Sequence, residues 1–308
     1  MIRPVSLGVP LRRGTKMRNL LRLLLIAGFA SYSLSDPFLI EVTEDDGDDG
    51  DDGYGGYRLP GIHIPSSYII NLQVSADVFS GDSTAFNGTV VIDFQVTDET
   101  DNIQIHAPVD VDAVSLQGDG QAINISDYSS YNSTTAILTI TAEEVLTTAV
   151  NYTLTIEYTG VLRSSNMNGF YRSEYYESDG TKHYLVTSKF EPTWARYAFP
   201  SFDEPQLKAR FTLVLIYPRN LSLSALGNTP QQSVEDVDDE YEKVTFGESP
   251  VMSTYLVAFI VSRFTCSAGA NLTDEVPYQV CSRPETEGDR AWAVEVGPPP
   301  NEGPGGLY

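Results

Sequence analysis

Histidine and cysteine are scarce in this sequence: 308 residues hold three of the first and two of the second. His63, His106 and His183 each stand alone, whereas a zinc site on a helix needs two histidines one turn apart plus a third ligand. Cys266 and Cys281 have no metal-motif spacing either. Positive charge is also short. Nineteen Lys and Arg against 42 Asp and Glu leave a formal charge of −23, which excludes nucleic acid as a partner, because phosphate binding needs a basic surface. The apolar run from Leu23 to Ala30 is too short to span a bilayer easily. No glycine-rich phosphate loop follows a strand-like segment, and helix-like apolar periodicity is rare.

What is present points to β structure. Val, Ile, Thr, Tyr and Phe are common and fall in short alternating runs bounded by Gly, Asp, Ser and Asn. Tyr68, Ile70, Leu72 and Val74 alternate, then Val90, Ile92, Phe94 and Val96, then Ile103 and Ile105. Further strands are predicted over 109–116, 136–141, 152–158, 211–217, 221–225, 255–261 and 276–280, with one helical turn over 143–148. The stretches between them, such as that joining 109–116 to 136–141, are rich in Gly, Asp, Ser and Asn and suit turns. Repeated short strands with local connections favour an antiparallel sandwich or open saddle over a Rossmann arrangement.

Residues 1–35 carry six Lys or Arg and no acid. From Met17 a basic start, an apolar stretch and small residues follow one another, the form of a secretory signal peptide. Met1–Lys16 would then be an upstream extension, with cleavage near Ala30 or Ser35, and the alternative is a short membrane anchor. Residues 36–56 read as an acidic linker. Within it EDDGDDGDDG, residues 44–53, should stay disordered because like charges repel and glycine is costly to fix. Six N-x-[ST] sequons, at Asn87, Asn124, Asn132, Asn151, Asn220 and Asn271, accord with passage through a secretory lumen. There Cys266 and Cys281 could form one disulfide, the alternative being two buried thiols. The expected location is extracellular, within the secretory pathway, or at the outer face of the plasma membrane, with association at a membrane surface.

The stretch TSKFEPTWARYAFPSFDEP, residues 187–205, differs from its surroundings. Phe190, Trp194, Phe199 and Phe202 are interleaved with Glu191, Arg196, Asp203 and Glu204, while Pro192, Pro200 and Pro205 restrict the backbone. An ordered, non-repetitive strap is predicted, buried by its aromatics. Arg196, Asp203 and Glu204 read as structural anchors, with Tyr171 and Arg172 supporting the same region. Glu191 has two readings: a carboxylate held out for an ammonium group, or one arm of an ion pair with Arg196 or Lys189. The three histidines read as structural.

The segment NGFYRSEYYESDGTKHYLVTSKFEPTWARYAFPSFDEPQLKARFTLVL, residues 168–215, resembles the amino-terminal domain of the M1 family of zinc aminopeptidases. YRLPGIHIPSSYIINLQV and FNGTVVIDFQVTDETDNIQIHA fit the same domain, so the likeness covers about residues 57–283. The resemblance implies a saddle-like, mostly antiparallel β-sandwich beside a thermolysin-like catalytic domain. That second domain carries a GxMEN loop and a zinc-binding HExxH with a downstream glutamate. It also implies that Glu191 receives the free α-amino group of a peptide. The polar position before it, usually Gln in the family, is Lys189 here, and the family's FPCFDEP is FPSFDEP, with Ser201 for Cys.

Neither GxMEN nor HExxH occurs in this chain. Residues 284–308 read as an irregular tail where a catalytic domain would begin, and zinc is expected in complete family members only. The expectation is therefore a substrate-binding part of a metallo-aminopeptidase, inactive alone, whose partners are a peptide amino terminus and a missing catalytic domain. The rival is a secreted, non-enzymatic binding or scaffolding protein. A hydrolase built on Ser201, Asp203 and a distant histidine is the weakest reading, since Ser201 lacks a G-x-S-x-G elbow.

Overall fold

Alternating burial along the first strand sets the architecture. A computed structural model describes residues 56–269 and 278–295. The leader, the acidic linker up to residue 55, the sequon at Asn271 and residues 296–308 lie outside them. In chain order the strands are β1 (His63–Val74), β2 (Ala85–Val96), β3 (Thr100–His106), β4 (Asp110–Gly118), β5 (Gln121–Ile123) and β6 (Ile125–Asn132). There follow β7 (Ile137–Leu146), β8 (Tyr152–Val161), β9 (Gly169–Tyr176), β10 (Lys182–Lys189), β11 (Arg210–Pro218) and β12 (Ser224–Gly227). The last five are β13 (Gln231–Asp236), β14 (Tyr241–Phe246), β15 (Phe259–Ser262), β16 (Thr265–Ala268) and β17 (Gln279–Ser282). Two short helices, α1 (Ala76–Ser80) and α2 (Arg290–Glu295), complete the order.

Eight strands form one sheet in the order β13-β14-β11-β1-β2-β8-β4-β5. Its inner face carries Tyr68, Ile70, Leu72, Val90, Ile92, Leu154, Ile156 and Leu213, all buried. The sheets β12-β15-β10-β9 and β3-β7-β6 supply Val186, Phe259, Ile103, Ile105 and Ile140 to the same core. The protein is thus mostly β, a sandwich of largely antiparallel sheets. One pair departs from that pattern: β1 and β11 run parallel, Ser67 opposite Arg210 through Gln73 opposite Ile216. A parallel pair needs a long crossover, and the whole of the chain between them provides it. The register of β1 on β2 shifts between Pro65 and Ser67, where proline has no N–H to give the ladder.

Three expectations are corrected. The helical turn over 143–148 is instead strand, because β7 runs on to Leu146, which lies opposite Thr100 and is fully buried. Much of 119–135 is β5 and β6, not turn. The tail is ordered in part: Pro284–Asp289 forms a 3-10 helix leading into α2. Ser178 holds it, donating its N–H to Glu285 at 2.9 Å and its hydroxyl at 3.0 Å, and Tyr278 Oη donates to the Ala293 carbonyl at 3.1 Å. Cys266 and Cys281 lie opposite each other on β16 and β17, and their sulfurs are bonded. Among the described residues no helix is long and apolar enough to cross a membrane.

Candidate functional site

The strap leaves β10 at Lys189 and reaches β11 at Arg210, with one 3-10 turn at Ala195–Tyr197. Its aromatics enter the core. Phe190 meets Phe199 and Phe259 edge-on, with ring centroids 5.8 Å and 6.0 Å apart, and Phe202 packs on Phe94 at 5.8 Å. Two core tyrosines hold its backbone. Tyr158 Oη donates to the Ala198 carbonyl at 2.9 Å, and the Phe202 N–H donates to Tyr68 Oη at 3.2 Å. The Glu191–Pro192 peptide bond is cis.

Arg196 and Asp203 close the strap on itself. Arg196 Nε donates to Asp203 Oδ2 at 2.8 Å, and its Nη2 donates to the Asp203 carbonyl at 2.9 Å. The other oxygen, Asp203 Oδ1, accepts from Thr254 Oγ1 at 2.5 Å. Buried Glu204 accepts the Leu59 N–H at 2.6 Å and a hydrogen bond from Gln206 Nε2. All three side chains are thus engaged in hydrogen bonds within the domain. Arg172 is not one of the strap's supports: its Nη1 donates to the Ser83 carbonyl at 2.7 Å and its guanidinium lies 4.6 Å from the Tyr184 ring centroid, tying the turn after α1 to β9 and β10. Half-buried Tyr171 pairs with Thr187 of β10 and bridges to Arg163.

Arg163 itself escapes sequence reasoning. Its guanidinium sits over the Trp194 ring at 4.5 Å and the Tyr197 ring at 5.1 Å, pinning the outer side of the strap by cation–π attraction. A separation of about thirty residues gives no local signal for this contact. It borders a cleft of ≈ 420 Å³ lined in part by Val109, Tyr131, Val161 and Tyr197.

Glu191 and Lys189 are both exposed, with buried Phe190 between them. Lys189 closes β10 and Glu191 opens the turn that follows, and both side chains face solvent. Neither forms an ion pair among the described residues. Arg196, one of the two partners considered for Glu191, is committed to Asp203. What remains at this corner is a carboxylate and an ammonium open to solvent on a segment anchored by its buried aromatics and by the Arg196–Asp203 pair.

The histidines are scattered. His63 is buried, stacked on Phe202 at 5.5 Å and 9°, and its Nε2 meets the Asn102 carbonyl at 3.2 Å. Burial lowers it to about 4, against the raising effect of that carbonyl. His106 is also held at about 4, first by burial and then by the charge of Arg196, with Asp203 opposing. His183 Nε2 pairs with Glu177 at 2.9 Å. Backbone bonds join His106 to Ser201, at 3.1 Å and 3.0 Å, but the Ser201 Oγ and the His106 ring are not bonded to each other, and Ser201 Oγ has no hydrogen-bond partner among the described residues. A nucleophilic triad needs serine bonded to histidine and histidine to carboxylate. Here Asp203 is spent on Arg196 and Thr254, so the arrangement is not a hydrolase triad.

The fold and strap define an all-β domain that fixes an irregular segment against its core and leaves one corner of charge exposed. The family description "Peptidase M1 N-terminal domain" matches residues 64–256, and the chain belongs to the peptidase M1 family as that amino-terminal domain. Aminopeptidase 2 of Candida albicans is 36% identical over 206 residues, 67% of this chain and 21% of the relative. Aminopeptidase N of Bos taurus is 33% identical over 244 residues, 76% of this chain and 25% of the relative. Glutamyl aminopeptidase of Mus musculus is 31% identical over 246 residues, 78% and 25%. The chain thus spans 21–25% of the length of these curated relatives.

Proposed function

We propose that this chain is the substrate-anchoring part of a zinc aminopeptidase, in which Glu191 takes the α-ammonium of a peptide. One observation carries the reading: Glu191 is an exposed carboxylate without an ion-pair partner among the described residues, on a strap held by Phe190, Phe199, Phe202 and the Arg196–Asp203 pair. The rigid support lowers the cost of aiming the carboxylate, and a charge-assisted hydrogen bond there would contribute about 1.5–3 kcal/mol. An internal amide offers no ammonium, so the same contact would select free amino termini. Lys189, exposed two residues away, competes with the substrate's ammonium for Glu191 and weakens that contact.

The described residues do not fit a zinc ion. No group of three or more His, Cys, Asp or Glu among them could hold one, and His63 and His106 are enclosed by the core. No step of peptide cleavage is therefore derived from these side chains. Zinc and the activated water belong, in this reading, to a catalytic domain bearing HExxH, and this chain alone is inactive. The leader and the sequons support a location in the secretory pathway or outside the cell, at a membrane surface or free.

The test is peptide-amine binding by a complete protein carrying both domains. Glu191→Gln should weaken binding of a peptide with a free amino terminus by about 10- to 100-fold and leave its amino-acetylated form unaffected. Lys189→Gln should tighten the free peptide. Equal affinities across parent and variants would remove the role from Glu191. A second reading, a binding or scaffolding protein without enzymatic activity, draws on the cleft beside Arg163 and on Val161 and Met167, 63% and 67% exposed. Chelator-sensitive turnover of a chromogenic amino-acyl substrate by the purified chain would rule out both readings.

A further inference from the structure

Strand β6 ends the β3-β7-β6 sheet and, among the described residues, pairs with β7 alone. Seven of its eight residues are exposed, among them Tyr128 and Tyr131, and its pairing with β7 is interrupted twice. An open edge offers unpaired N–H and C=O groups to any other strand, and proteins blunt such edges with lysine, proline, charge, bulges or a cover; of these β6 has its two register shifts. The strand ISDYSSYN has no lysine and no proline. Its one charge, Asp127, turns back on Ser129, accepting its N–H at 2.9 Å and its hydroxyl at 2.7 Å.

Two sequons bracket this edge: Asn124-Ile125-Ser126 at its start and Asn132-Ser133-Thr134 at its end. Both asparagines are exposed. Asn132 Oδ1 accepts the N–H of Thr134 at 2.9 Å and of Thr135 at 3.3 Å. The side chain is thereby fixed through its oxygen, and its Nδ2 is left without a hydrogen bond to the described residues. Asn124 Nδ2 donates to Glu143 Oε2 at 3.0 Å; an amide nitrogen carries two hydrogens, so substitution of one leaves the other for Glu143. The sequons at Asn87 and Asn151 differ in placement, lying in β2 and just before β8, which are interior strands of the large sheet.

We propose that Asn124 and Asn132 carry N-linked glycans and that these two glycans cover the open edge of β6 against pairing with another chain. The proposal rests on the secretory reading above, not on the role of Glu191. Each asparagine Nδ2 would attack the anomeric carbon of an oligosaccharide carried on a polyisoprenyl diphosphate. The C–N bond forms as the C–O bond to diphosphate breaks, and the amide proton leaves to a base, with no change in oxidation state. A bulky, hydrated group at each end of the edge keeps a second strand from approaching along the line in between.

The full chain is expressed in a glycosylating secretory host, once with its own leader and once with a replaced one. Peptide mass mapping after enzymatic glycan release reads occupancy, since release converts the acceptor Asn to Asp. Occupancy is expected at both sites. Sedimentation then compares the parent with Asn124→Gln/Asn132→Gln, which should self-associate as concentration rises, while adding Tyr128→Lys to that variant should restore the monomer. Should the double variant fail to fold, parent protein stripped of glycans after folding serves the same comparison. An unmodified Asn124 or Asn132 in the replaced-leader product overturns the proposal, as does a deglycosylated chain that sediments like the parent. Modification with the replaced leader alone locates the failure in the secretory reading and overturns these glycans in the native protein.

Discussion

Arg196 and Asp203, seven residues apart on the strap, are joined by three hydrogen bonds: Nε to Oδ2 at 2.8 Å, guanidinium to backbone carbonyl at 2.9 Å and the Arg196 N–H to Oδ2 at 3.3 Å. Their side chains are 13% and 2% exposed, so the Asp203 carboxylate is cut off from water and Arg196 largely so. Removing one arm strands the other, which costs about 3–5 kcal/mol when a pair is buried. Asp203→Asn and Arg196→Met should each lower the unfolding free energy by that order in urea titrations. The double variant Arg196→Met/Asp203→Leu should lose much less than the sum. Additive losses would mean that the two residues act independently.

Phe190 and Glu191 are sequence neighbours on opposite sides of the chain, and they should separate stability from binding. Phe190 is 2% exposed inside an edge-on aromatic cluster, so Phe190→Ala should cost about 3–5 kcal/mol. Glu191→Ala removes an exposed side chain with no ion pair and should stay within about 0.5 kcal/mol of the parent. Chemical denaturation of both variants checks the contrast. A large loss for Glu191→Ala would make that carboxylate a structural group.

The alternation of buried residues in β1, β2, β8 and β11 was legible because one face of the large sheet is core and the other is solvent. Strand β6 was not, since with seven of eight residues exposed it has no alternation to read. The strap was recognisable from its prolines and aromatics, and the hydrogen bonds of Arg196, Asp203 and Glu204 were not. Its other supports come from afar. Tyr68, Tyr158 and Thr254 are distant in sequence, and their hydroxyls declare a partner only once the sheets have placed them. Arg172 misled for the same reason: its position beside Tyr171 on β9 says nothing of the turn after α1 that it binds.

His63 and His106 make the fold acid-sensitive. Both are lowered from 6.5 to about 4, so between those values the unfolded chain binds more protons than the folded one. Stability from these groups is complete above pH 6.5 and is lost as pH falls toward 4. At pH 4.5 each should have withdrawn about 2–3 kcal/mol. Exposed Glu174 and Glu235, lowered by their lysine partners, act in the same direction. Variants are therefore needed to isolate the histidines. His63→Phe keeps a ring on Phe202, and with it the difference in unfolding free energy between pH 7 and pH 4.5 should shrink by about that amount. An unchanged difference would assign the acid sensitivity to carboxylates.

Gly88 and Gly160 give the sharpest packing test. On the β2–β8 ladder Gly88 faces Tyr158 and Gly160 faces Phe86, so each glycine lies under an aromatic ring of the opposite strand. A Cβ on Gly88 would fall 2.2 Å from Tyr158 Cζ, and one on Gly160 would fall 2.2 Å from Phe86 Cζ. Neither ring can withdraw freely. Tyr158 is tied through its hydroxyl to the strap at Ala198, and Phe86 is packed edge-on against Phe170 with centroids 4.9 Å apart. Gly88→Ala should therefore destabilise by about 1–3 kcal/mol or more through overpacking, and it should also loosen the strap. Hydrogen exchange at Phe199 and Phe202 would report that second effect. Tyr158→Phe, which removes the hydroxyl bond but keeps the ring, should loosen the strap with a smaller loss of stability. If Gly88→Ala leaves the strap amides as protected as in the parent, the ring is not the link between the large sheet and the segment bearing Glu191.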